Sequence, residues 1–132
     1  MKWLVLPFLL LIIFLLYQSV DNSCDTTDNV DAFLHVVKGE RTLLGFNLGN
    51  DALTFGTISP GSSSARTMDA TYSKSAHVDV TVEGNLAEWM VIEPNSFSVS
   101  QEKNVTVEFI VDVPQNGTAG NYYGLVTFCF KE

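Results

Sequence analysis

The stretch Asn104-Val105-Thr106-Val107-Glu108-Phe109-Ile110-Val111-Asp112-Val113 carries the clearest pattern in the chain. Val105, Val107, Phe109, Val111 and Val113 share one parity, with Thr106, Glu108, Ile110 and Asp112 on the other. A period of two sends successive side chains to opposite faces of a strand. The segment therefore predicts an antiparallel strand with a buried face and a wet one. Val107 and Phe109 are its expected core members, each contributing about 1.5–3 kcal/mol on full burial.

The same period extends outward in both directions. Ala76, Val78, Val80 and Val82 alternate with His77, Asp79 and Thr81, and Leu44, Phe46 and Leu48 alternate in an earlier segment. In the last segment Tyr122, Val126, Phe128 and Phe130 share a face on which Gly124 leaves a gap. Turn signals punctuate these runs: Lys38-Gly39-Glu40, Gly49-Asn50-Asp51, Ser59-Pro60-Gly61, Glu83-Gly84-Asn85, Glu93-Pro94-Asn95 and residues 114–120. About seven to nine short strands without an amphipathic helix predict an all-β, two-sheet antiparallel sandwich over residues 32–132. Trp89 is expected to plug the core between the sheets.

Ahead of the strands, residues 3–17 are uncharged and apolar apart from Pro7. As a helix they reach roughly 22 Å at about 1.5 Å per residue, and a bilayer core of about 30 Å takes roughly 20 residues. Residues 1–20 close that gap, with Lys2 at one flank and Tyr17 at the other interface. Two readings follow: an uncleaved transmembrane signal anchor, or a secretory signal that is removed. A peptidase wants small residues at −1 and −3. Cutting after Ser19 puts Tyr17 at −3, and cutting after Ser23 puts Asp21 there, which favours the anchor. Lys2 on one side and acidic residues on the other set a single-pass topology, N-terminus inside and domain outside the cell membrane. If the signal is cleaved, the domain is secreted. Residues 21–31 are acidic and aperiodic and read as a stalk. Asp21, Asp25, Asp28 and Asp31 lack the spacing of an EF-hand loop.

Charge narrows the function. Seven Lys and Arg stand against fifteen Asp and Glu, a formal net charge of −8. Nucleic-acid binding, which requires a basic face, is therefore not expected. Nor is catalysis: Gly61-Ser62-Ser63-Ser64 lacks the glycine placement of a nucleophile elbow and reads as a flexible loop. His77 and Asp79 share a strand face but have no third ligand in view, so neither a metal nor another cofactor is expected. His35 reads as a surface residue.

Cys24 and Cys129 are the only cysteines. In an oxidising compartment they are expected to form a disulfide, within one chain or between two Cys24 residues of a homo-oligomer. If the first strand runs parallel to the last, an internal bridge requires residues 24–31 to climb about 24 Å along the sandwich. Asn104-Val105-Thr106 and Asn116-Gly117-Thr118 match the glycosylation acceptor, making Asn104 and Asn116 candidate sites in a glycoprotein.

Three stretches carry a family resemblance: Lys38-Gly39-Glu40 running into Phe46-Asn47-Leu48-Gly49-Asn50, residues 89–99 from Trp89 through Pro94 and Phe97 to Val99, and residues 111–124 from Val111 through Pro114 and Tyr122 to Gly124. Together they resemble the immunoglobulin-like domains of bacterial and archaeal surface proteins, including the alpha-galactosidase-associated type. The resemblance implies that Tyr122 is a corner tyrosine bonded to backbone near the preceding turn. Gln101-Glu102-Lys103 departs from it, standing where relatives often have Gly. For function it implies a structural or interaction protein used in cell-surface assembly or adhesion. Its partners are the bilayer through residues 1–20 and a protein at a sandwich edge or end loop. The alternative is a carbohydrate or cell-wall polymer binding module using Tyr72 or Tyr123.

Overall fold

The computed structural model describes residues 5–17, 23–39 and 52–132. Helix α1 spans Val5–Tyr17, and the side chains of residues 8–14 are exposed. Among the described residues no helix is long and apolar enough to cross a membrane. Eight strands follow: β1 Thr26–Val36, β2 Ala52–Ile58, β3 Ser63–Ala70, β4 Ala76–Glu83, β5 Met90–Glu93, β6 Ser96–Val99, β7 Val105–Asp112 and β8 Gly120–Lys131. They form a five-stranded sheet, β2-β1-β8-β4-β6, packed on a three-stranded sheet, β3-β7-β5. A two-layer sandwich results.

The parity expected from the alternating segments is the parity observed. Val107, Phe109, Val111 and Val113 are buried, and so are Ala76, Val78 and Val80. They meet Val30, Leu34, Phe55, Val126, Phe128 and Phe130 in one core, where Phe109 packs edge-on against Phe128 with ring centroids 6.2 Å apart. The gap left by Gly124 is filled by Leu86: a Cβ built on Gly124 would lie 3.4 Å from the Leu86 Cβ. Gly84 takes φ +101°, and a Cβ there would approach the Tyr123 carbonyl oxygen to 2.6 Å. This turn accepts only glycine. Trp89 does not plug the centre. It closes a 3-10 turn, Ala87–Trp89, and packs half-buried at the margin of the core, 4.4 Å from the Tyr122 ring.

Several expectations are corrected. Strand β1 begins at Thr26, so residues 26–31 are sheet rather than stalk. Their polar side chains stay exposed while the backbone pairs with β8 from Thr26↔Phe130 onward. Asp28 and Asp31 lie three apart on that strand and so face opposite sides of it. Strand β1 runs antiparallel to β8, not parallel, which brings its first residues beside the end of the chain. Its partner on the other side, β2, is parallel. The connection of residues 37–51 is too long for a tight hairpin and has the length a parallel crossover needs. Leu44, Phe46 and Leu48 lie outside the described residues. Ser63 and Ser64 belong to β3 rather than a flexible loop, and Ser64 is buried with its hydroxyl donating to the Phe55 carbonyl at 3.2 Å. Nearby, the Arg66 Nε donates to the Thr54 carbonyl at 3.0 Å. These two side chains stitch β3 of one sheet to edge strand β2 of the other.

Candidate functional site

The antiparallel β1–β8 pairing settles the fate of the cysteines. Cys24 and Cys129 form an intramolecular disulfide with Cα atoms 5.3 Å apart, and no free cysteine remains among the described residues. The climb along the sandwich is unnecessary, because the Asp25 N–H already donates to the Phe130 carbonyl at 2.9 Å. The bridge between two chains is thereby displaced. Around it, the Glu132 N–H donates to the Asp25 carboxylate at 2.7 Å. Tyr72 stacks on Phe130 at 4.7 Å, and its hydroxyl donates to the Glu132 carboxylate at 2.7 Å and lies 3.1 Å from the Thr26 hydroxyl. Tyr72 is therefore a structural residue, half-buried and fully engaged, not an open platform.

The outer face of the five-stranded sheet is assembled from the outward parity of β1, β8, β4 and β6. Along the β1–β8 ladder it reads Asn29 with Thr127, Asp31 with Leu125, Phe33 with Tyr123 and His35 with Asn121. Thr127 donates to the Asn29 amide oxygen at 3.1 Å. Phe33 and Tyr123 meet edge to face, centroids 5.5 Å apart at 88°, and remain 39% and 53% exposed. The His35 Nδ1 lies 2.6 Å from the Asn121 amide oxygen. With the strand edge of β2, these four side chains border a shallow cavity of about 290 Å³. Gly56, at φ +83°, interrupts β2 where the β1–β2 register shifts, and it is one of the residues that line the cavity. Phe33 carried a usable signal, since it shares the outward parity of His35. Asn121 carried none, because only the register places it opposite His35.

Farther along the same face, His77, Asp79, Ser96 and Lys131 come together. The Ser96 hydroxyl donates to Asp79 at 2.9 Å and lies 2.8 Å from the His77 Nε2, while the Lys131 Nζ is 3.6 Å from the other Asp79 oxygen. The Ser96 hydrogen bond is the main cause that holds the Asp79 carboxyl below its ordinary range; desolvation, the next largest effect, opposes it, and the charges of His77 and Lys131 add to the lowering. A nucleophilic relay needs serine and carboxylate on opposite nitrogens of the imidazole. Here both face Nε2, and the group is a surface ion cluster. Among the described residues no three His, Cys, Asp or Glu gather as metal ligands.

The remaining candidates take separate places. The Tyr122 hydroxyl donates to the Thr118 carbonyl at 2.6 Å, the backbone bond expected of it in the turn before β8. Phe128 is buried. Asn104 and Asn116 are exposed, just before β7 and in the turn after it. At one end of the sandwich a cavity of about 360 Å³ lies among Asp28, Met68, Asp69 and Phe128, and there Asp69 already accepts the Thr106 hydroxyl at 2.6 Å. Comparison with protein-family models, with curated proteins and with solved structures gives no match for this chain.

Proposed function

We propose that this chain is a membrane-anchored extracytoplasmic protein that presents one immunoglobulin-like sandwich for cell-surface assembly or adhesion. The observation that carries the reading is the Cys24–Cys129 disulfide, which begins only a few residues after the apolar N-terminal stretch. Disulfides persist in oxidising compartments, so the sandwich belongs outside the cytoplasm. The apolar residues 1–20, with Lys2 inside, supply the anchor. The Tyr122–Thr118 bond supports the immunoglobulin-like assignment.

The edges of the sandwich favour a particular contact surface. Strands β2 and β3 are stitched together by Ser64 and Arg66, and the opposite edges, β5 and β6, are four residues each. Short or occupied edges are poor templates for an added strand. The outer face of the five-stranded sheet and the end loops are what the protein offers a partner.

The test is labelling of intact cells with membrane-impermeant reagents. Both thiols should react with an impermeant maleimide only after impermeant reduction, on a full-length species of about 14.5 kDa in the membrane fraction. Thiols that react without reduction, or only after lysis, would sink the reading. A soluble form beginning after residue 19 would remove the anchor and leave a secreted domain.

A further inference from the structure

We infer that the cavity between Phe33, Tyr123, His35 and Asn121 on the outer sheet face is a binding site for a neutral pyranose, the ring unit of an uncharged polysaccharide. The inference deepens the surface-display reading by naming a ligand class for the displayed face.

Four observations carry it. The first is the exposed aromatic surface: Tyr123 keeps 53% of its area in water although Phe33 stands against it. The negative face of such a ring attracts weakly positive C–H groups, which a pyranose presents on its flat side. The second is the hydrogen-bonding rim. When the His35 Nδ1–H donates to the Asn121 oxygen at 2.6 Å, the Asn121 amide keeps two N–H donors and the His35 Nε2 keeps a lone pair. Among the described residues neither side chain makes another such bond. A donor and an acceptor side by side suit neighbouring hydroxyls, each of which both donates and accepts.

The third observation is neutrality. The whole chain has fifteen Asp and Glu, yet among the described residues no Asp, Glu, Lys or Arg lines this cavity. Among the described lining residues no carboxylate, lysine or arginine is present to pair with a charged ligand, and the net charge of −8 on the chain disfavours uronic or sialic acids. The fourth is size. At about 290 Å³ the cavity lies just below the usual range of small-ligand sites, roughly 300–1,000 Å³. A stable protein interface buries about 800 Å² on each partner, far more than this rim of four side chains supplies.

The experiment is an NMR titration of the full chain in a zwitterionic, sugar-free detergent, because alkyl glycoside detergents would occupy the site. Cellohexaose, chitohexaose and mannohexaose are the neutral probes, and oligogalacturonate is the acidic control. At least one neutral probe should shift the Asn121 side-chain amide and the Tyr123 and Phe33 resonances saturably, and oligogalacturonate should not. Tyr123→Ala should weaken that binding about tenfold or more, Tyr123→Trp should retain it, and Tyr72→Phe should leave it unchanged. Asn121→Asp, which places a charge in the rim without removing a ring, should also weaken it severalfold, even if Tyr123→Ala were to unfold the domain. Absence of saturable shifts with all three neutral probes would overturn the inference and leave the face to a protein partner. Binding undiminished by both Tyr123→Ala and Asn121→Asp would overturn it as well. Because binding is read on purified protein and topology on intact cells, the two proposals fail separately.

Discussion

At one end of the β1–β8 ladder Cys24 is bonded to Cys129, Asp25 accepts the backbone N–H of Glu132, and Tyr72 lies over Phe130. At the other end Phe33, His35, Asn121 and Tyr123 meet across the same two strands with their side chains turned to water. The strand pairing is identical in kind. What differs is whether the side chains above it are used to bind the protein to itself or left for something else. The first end has few groups uncommitted. The second combines exposed ring area with open hydrogen-bonding capacity, which adds little to stability and which a folded domain keeps only at some risk of unwanted association.

This contrast can be tested by denaturation, with the shared core as the scale. Phe109 is fully buried, and Phe109→Ala should destabilise by about 3–5 kcal/mol, whereas Glu108→Ala next to it should stay within about half a kcal/mol. Equal effects in urea unfolding would mean that the facing of β7 is misassigned. At the sealed end, the Cys24→Ser, Cys129→Ser double variant opens a loop of 105 residues. It should cost about 2–5 kcal/mol, against about 1 kcal/mol or less for Tyr123→Ala at the open end. A larger loss at Tyr123 would erase the contrast.

A finer comparison uses the two tyrosine hydroxyls. Tyr72→Phe removes the bonds to Thr26 and Glu132 and should lower stability by about 0.5–1.5 kcal/mol, while Tyr123→Phe should be neutral in the same assay. The smallest effect concerns Asp79 on the outer face. Its carboxyl is held below the ordinary range by the Ser96 hydroxyl first, then by His77 and Lys131. A lowered carboxyl stabilises the fold above the unfolded pKa, about 3.9, and that contribution disappears as pH falls through the folded value. Ser96→Ala should raise the Asp79 titration midpoint seen by NMR. The stability difference between Ser96→Ala and the parent should be present at pH 5–7 and shrink in the acid range. An unmoved midpoint would show that Ser96 is not the group responsible.

Strands with one apolar parity were legible in the sequence, because burial of every second residue leaves a direct trace. Residues 104–113 and 76–82 are the clearest cases. Residues 26–31 were not, since their pairing rests on backbone bonds to β8 and leaves Thr26, Asp28 and Asn29 in water. Ser64 misled for the opposite reason: a serine run has the composition of a loop, but one hydroxyl found a carbonyl in the core. The cysteines announced a bond without a direction. Their proximity follows from β1 lying antiparallel beside β8, a property of topology rather than of any local segment. The outer-face site was legible by half. Phe33 and Tyr123 could each be placed outward by parity, but their meeting depends on an eleven-pair register that one sequence does not display.

The position of the disulfide also determines how the protein would bear a load. A pull on a domain held at residues 1–20 enters the sandwich at its first residues. There β1 and β8 end side by side, so tension along the tether alone would peel the ladder apart one pair at a time, beginning at Thr26↔Phe130. The Cys24–Cys129 bond intercepts that tension before it reaches the first pair and delivers it to β8. Strand β8 is the middle strand of its sheet, held by β1 on one side and β4 on the other. To extract it, both ladders must fail together, and the covalent link turns a seam that would unzip into a rivet at the centre of the sheet.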